Sequence, residues 1–124
     1  MIEINSIALG GRVFPLNADV LVSNSALHHF HDPYKFWDAL KKIGKKKCIH
    51  IHRDLIRPAS IKKALEIKEK YLSTSPDILK KDFYASLKAS FTVDEVNEQL
   101  VNAGLSQLEV FQVDELYFEI IGCM

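Results

Sequence analysis

"CIHIHRDLIRP" (Cys48 to Pro58) is the stretch on which the fold turns. Cys48, His50, His52 and Asp54 alternate with Ile49, Ile51 and Arg53, and side chains on a strand point to opposite faces with period two. The run then breaks into "RDLIRP", a polar corner closed by Pro58. Upstream, "ADVLVSN" (Ala18 to Asn24) is short, β-branched and apolar, as expected of a strand buried on both faces. Between the two lies "HDPYKFWDALKKIG". Asp32 suits an N-cap, Pro33 the first helical position and Gly44 a C-terminal stop, with Phe36, Trp37, Leu40 and Ile43 as the apolar stripe. Strand, helix, strand at this spacing predicts a βαβ unit with parallel neighbouring strands and a right-handed crossover.

Two other chemistries compete for the same stretch. "HRDL" opens a protein-kinase catalytic loop, but that loop needs an asparagine five residues after its aspartate to hold magnesium. Ala59 stands there, and 124 residues are too few for a two-lobed enzyme. A metal site is the second competitor, because His50, His52 and Asp54 share a strand face and His28, His29 and His31 end the neighbouring strand. "HIHRDL" approaches the H-x-H-x-D-H pattern of the metallo-β-lactamase fold, with Leu55 where the last histidine belongs. The ion would lose a ligand, so imidazoles packed under a helix are the plainer account and no metal ligand is assigned. The remaining reading is a cleft. Open α/β sheets bind ligands beyond the carboxyl ends of parallel strands, which brings Asn24, His28, His29, Asp54 and Arg57 to one rim.

Past the corner, Ser60 can cap a helix running to about Thr74, and "STSPD" interrupts it. A further helix carries Leu79, Phe83, Leu87 and, at its end, Phe91. Thr92 and Glu95 form a T-x-x-E capping box for a helix burying Val93, Val96 and Leu100 and ending at Gly104. "LEVFQVDELYFEIIG" reads as an antiparallel hairpin around Asp114 and Glu115. The expected class is α/β, a Rossmann-like sheet with helices on both faces and a C-terminal antiparallel hairpin, in a single domain spanning residues 1–124. Residues 1–17 are unassigned and are a candidate edge strand.

Sixteen basic residues balance sixteen acidic ones, which argues against a uniformly basic nucleic-acid surface. The cluster of Lys41, Lys42, Lys45, Lys46 and Lys47 is read as a solvated helix end and loop. Cys48 and Cys123 lack C-x-x-C spacing and are read as reduced core thiols in a cytoplasmic protein. No run approaches the roughly 18 apolar residues of a membrane span, and no signal-peptide pattern is present.

"DVLVSNSALHHFHDPYKFWDALKKIGKKKCIHIHRDLIRPAS" resembles the second half of class I S-adenosylmethionine-dependent methyltransferases. Asp19, Ser23, Asn24, Leu27, His28, His29, Asp32 and Pro33 match that family's S-N-x-x-L-H-H-x-x-D-P block. Asp54, Leu55, Arg57 and Pro58 match its D-L-x-R-P strand end. "DFYASLKASFTVDEVNEQLVNAGL" is similar to the helical segment before the final hairpin, so the likeness runs over residues 18–124. The resemblance implies S-adenosylmethionine as cofactor and a small-molecule methyl acceptor. It places Ser23, Asn24 and Leu27 on the cofactor side and His28, His29 and Asp54 in the catalytic set. Arg57, Tyr84, Ser86 and Phe91 fall on the acceptor side, the last three in a lid. The glycine-rich cofactor loop and the ribose-binding acid of the family's first half are not found. Gly10-Gly11 does not follow a buried strand and open a helix, and Arg12 has the wrong charge for the adenine-side acid. The alternative expectation is therefore a non-catalytic truncated form that binds a partner chain. Its exposed strand edge would pair with the N-terminal segment Ile2 to Val13 or with a second copy in a homodimer.

Overall fold

The computed structural model describes residues 6–9 and 12–124. Two short strands, β1 (Ser6–Leu9) and β2 (Arg12–Pro15), pair antiparallel with each other. Then come β3 (Ala18–Asn24), a 3-10 turn (Leu27–His29), α1 (Pro33–Ile43) and β4 (Gly44–Leu55). The remainder is α2 (Ile61–Leu72), α3 (Asp77–Ala89), α4 (Val93–Asn102), β5 (Glu109–Gln112) and β6 (Tyr117–Cys123). The main sheet has order β3-β4-β6-β5, with β3 and β4 parallel and the other pairs antiparallel. The expected α/β class, parallel pair and terminal hairpin all form.

Local chemistry explains the boundaries. Asp32 accepts a hydrogen bond from the Tyr34 N–H at 3.0 Å, and Pro33 takes the first helical position of α1. Phe36, Trp37, Leu40 and Ile43 are buried as a stripe against β3, β4 and β6, where they meet Leu21, Cys48, Phe118 and Ile120. Complete burial of Trp37 contributes about 2–3 kcal/mol relative to an exposed ring. Its indole N–H donates to Gln99 Oε1 at 3.0 Å, which ties α1 to α4 inside the core. The Thr92–Glu95 capping box is present in both directions, at 3.2 and 2.8 Å. Gly104, at φ +76°, takes the left-handed position that ends α4.

Gly44 behaves differently from the sequence expectation. Its φ of −78° is extended, so α1 passes straight into β4 without a left-handed stop. The left-handed residue is Lys47, at φ +64°. Pairing steps from Ala18–Gly44 to Val20–Ile49, and the surplus lysines of β4 lie in that slip.

The larger departure concerns the sheet's second face. Cys48, His50, His52 and Asp54 point into the core under α1 and α4, whereas Ile49 and Ile51 are 46% and 41% exposed. On β3, Leu21 is buried while Val20 and Val22 are 47% and 71% exposed, so the strand is buried on one face only. Helices reach the opposite face only near the carboxyl end of β4. There α2 and α3 bring Ala64, Ile67 and Leu87 against Leu55 and Leu116. Among the described residues nothing pairs with the outer edge of β3. The described part of the N-terminal segment, β1 with β2, forms its own two-stranded sheet instead of extending that edge. Ile2 to Asn5, Gly10 and Gly11 lie outside the described residues.

Candidate functional site

The two polar corners meet. β3 and β4 run parallel with Ser23 opposite His52 and Asn24 opposite Arg53, so both carboxyl ends open on one edge. The Ser25 N–H donates to the Arg53 carbonyl at 2.8 Å, and Ser25 adopts φ +59°, turning the chain into the 3-10 turn that carries His28 and His29.

Asp54 organises that turn. Its Oδ1 lies 2.7 Å from His28 Nδ1 and accepts the Leu55 N–H at 2.7 Å, while Oδ2 accepts the His28 backbone N–H at 2.8 Å. Both side chains are about 5% exposed. A carboxylate oxygen accepts hydrogen bonds, so the His28 ring donates its Nδ1–H to Asp54 and Nε2 is left on the far side of the ring. This is the carboxylate–imidazole arrangement that orients a general base. His29 stacks beside it with ring centroids 4.2 Å apart and is exposed.

A second buried chain sits deeper on the same strand face. His50 Nδ1 is 2.9 Å from His52 Nε2, and His52 Nδ1 is 2.7 Å from Ser23 Oγ. Burial lowers the pKa of both rings, that of His52 to about 3, so both are neutral at physiological pH. His50 and His52 are thus packed imidazoles under α1, with the Phe36 and Trp37 rings edge-on to His52. Among the described residues no three His, Cys, Asp or Glu side chains are grouped as metal ligands.

The other assigned residues fall as follows. Ser23 is half-buried and held by His52; Asn24 is exposed and accepts from the Ser25 hydroxyl at 3.2 Å. Leu27 packs into the core at 3% exposure, where it anchors the turn from below. Arg57 Nη1 pairs with Glu95 at 2.9 Å. Phe91 crosses β4's exit, forming a parallel bridge with Ile56 and accepting the Arg57 N–H at 3.1 Å. Tyr84 is half-buried against the α2–α3 cluster, with the Lys88 ammonium 4.4 Å from its ring centre. The Ser86 carbonyl accepts the Ser90 hydroxyl at 2.6 Å, an internal helix bond. The turn, the corner and α3 are neighbours, since α3 packs against the 3-10 turn. Sequence reasoning missed Glu95 as the partner of Arg57, because the T-x-x-E pattern assigned it wholly to the helix cap. It also missed the His50–His52–Ser23 chain, whose alternating spacing was the available signal.

For S-adenosylmethionine, which the resemblance implies, the described residues fit one wall of a site. Ser23 and Asn24 present polar atoms at the strand ends, and the edge of β3 beyond them is unpaired among the described residues.

No family model and no curated relative matches the chain. Solved structures do. A SAM-dependent methyltransferase from Aquifex aeolicus superposes with a TM-score of 0.54 at 17% identity, covering 98% of this chain and 52% of that one. The plantazolicin methyltransferase BpumL, in complex with a triazolic desmethylPZN analog and SAH, gives 0.61 at 14% identity, covering 86% and 53%. An O-methyltransferase assigned in Nostoc punctiforme gives 0.54 at 16% identity, covering 88% and 33%. The chain spans about half the length of the first two. By its topology and these superpositions, it has the Rossmann-like fold of part of a SAM-dependent methyltransferase domain.

Proposed function

We propose that the chain is the acceptor-side half of a SAM-dependent methyltransferase. It would transfer a methyl group to a small-molecule acceptor once a glycine-rich half completes the sheet beside β3. The observation that carries this reading is the meeting of the two strand ends at the His28–Asp54 contact, next to a parallel edge that is unpaired among the described residues. When bound, the cofactor supplies an electrophilic methyl on a sulfonium, so alignment does most of the work. Ser23 and Asn24 form the near wall of the cofactor site, with Leu27 holding their turn in place. Asp54 fixes the His28 ring, whose Nε2 takes the acceptor's proton, and exposed His29 flanks it. Arg57, Tyr84, Ser86 and Phe91 belong to the acceptor side and its α3 lid.

The test is calorimetric titration with S-adenosylhomocysteine. The chain alone gives no saturable heat. The chain fused behind a strand, glycine-rich loop and helix half binds it, and more weakly after Asn24→Ala. A folded fusion that does not bind would sink the reading.

A second reading, a non-catalytic form that pairs with a copy of itself, is favoured by the bare Val20, Val22, Ile49 and Ile51 face. Both readings require that face to be covered. A homodimer in solution, with no cofactor binding in any completed form, would favour the second. Among the described residues no helix is long and apolar enough to cross a membrane.

A further inference from the structure

The corner after β4 forms a cleft of about 220 Å³ with the start of α2 and the end of α3, lined by Arg57, Pro58, Ser60, Ile61, Ala64 and Lys88. Its floor is apolar: Ala64 is buried, Pro58 half-buried, and Ile61 lies exposed beside them. Its rim is cationic. Arg57 is held by Glu95 at 2.9 Å and reaches the Ser90 carbonyl at 3.4 Å. Lys88 lies over Tyr84 and has no carboxylate within 4.0 Å among the described residues. Two positive charges against one negative leave the cleft net positive. Ser60 Oγ accepts the Lys63 N–H at 3.0 Å, which leaves its own hydroxyl proton free to donate.

We infer that this cleft is a subsite for the carboxylate end of a small organic acid with an apolar body of about one ring. An apolar floor with convergent polar groups at its lip is the usual make-up of a small-molecule site, and this volume falls below the ~300 Å³ at which drug-sized ligands begin. Lys88 supplies the uncompensated charge, Ser60 a neutral donor, and Arg57 a guanidinium already oriented by Glu95. The site lies on the acceptor side of the proposed methyltransferase, and only the word "acceptor" rests on that reading.

The experiment is an amide NMR titration of the intact chain with benzoate and, separately, with benzamide, its uncharged near-isostere. Benzoate should shift the amides of Arg57, Ser60, Ile61, Ala64 and Lys88 and bind about three- to fivefold more tightly than benzamide, the range of a partly exposed ion pair. Lys88→Gln, at an exposed position, should keep the native spectrum and erase the preference. Equal binding of the two probes, shifts confined to other surfaces, or a preference that survives Lys88→Gln would each overturn the inference. S-adenosylhomocysteine binding is read in a separate titration. Its absence leaves a benzoate result standing, and its presence does not rescue a failed one.

Discussion

Asp54 grips His28 at two points, taking the ring Nδ1–H on one oxygen at 2.7 Å and the residue's own backbone N–H on the other at 2.8 Å. The two residues stand 26 positions apart on different strand ends, so this contact fixes both the turn's path and the ring's tautomer. The carboxylate also accepts the Leu55 N–H, leaving it fully engaged. Asp54 therefore positions His28, and in the proposed reaction the base would be His28 Nε2.

Asp54→Asn tests that division of labour. An amide offers one accepting oxygen and turns the other position into a donor, so at least one of the three N–H groups loses its partner inside a buried site. The expected loss is about 2–4 kcal/mol of stability, read as a lower urea midpoint. Ring nitrogen shifts should report Nδ1–H in the native protein. A native His28 carrying its proton on Nε2 would contradict the assignment.

Acid should destabilise the fold well above the pH at which carboxylates titrate. Burial holds the folded-state pKa of His52 near 3 and lowers that of His50, whereas an unfolded histidine titrates near 6.5. Above about pH 6.5 both states carry neutral rings and the difference vanishes. Between there and about pH 3 the unfolded chain binds protons that the folded chain refuses, so stability falls as pH falls. At pH 4.5 His52 alone removes about 2–3 kcal/mol. Urea midpoints at pH 7.5 and 4.5 measure it, and His52→Phe should flatten the difference. A native protein equally stable at both values would refute the neutral buried pair.

The sequence displayed the elements more openly than their surroundings. The Asp32-Pro33 start, the Thr92–Glu95 box and the alternation of "CIHIHRD" are local signals, and each produced its element. Burial of β3 on both faces was misjudged because an all-apolar strand looks the same whether its second face is covered or bare. Gly44 was misjudged because glycine permits a left-handed stop without requiring one, and here Lys47 takes that conformation. Within the site, the motif residues of the two corners were legible. Glu95 was not, since pairing across 38 positions depends on how α4 docks beside the β4 corner.

The bare face should drive association. Val22 and Ile51 are 71% and 41% exposed on neighbouring strands, beside a parallel edge that is unpaired among the described residues. Sedimentation velocity should show concentration-dependent growth in mass for the native chain. Val22→Lys with Ile51→Lys should suppress it while leaving the far-ultraviolet spectrum unchanged, because both side chains already face outward. A native chain that stays monomeric over a wide concentration range would argue against any partner at this face.

Two glycines should respond to substitution for opposite reasons. A Cβ on Gly122 would meet the Gln107 carbonyl at 2.8 Å, Leu108 Cδ2 at 2.8 Å and Leu108 Cα at 2.9 Å, so backbone blocks it. Gly104 has nothing within 4 Å of its Cβ position but sits at φ +76°. Gly122→Ala should therefore destabilise by about 1–3 kcal/mol through overpacking where β6 pairs with β4 opposite His50. Gly104→Ala should lose about 1–2 kcal/mol through backbone strain alone. Asparagine separates the mechanisms, since it visits the left-handed region readily. Gly104→Asn should recover most of the loss, and Gly122→Asn should be worse than Gly122→Ala. Denaturation midpoints for the four variants decide it, and a Gly122→Ala protein as stable as the native chain would show that β6 does not press against the Gln107–Leu108 backbone.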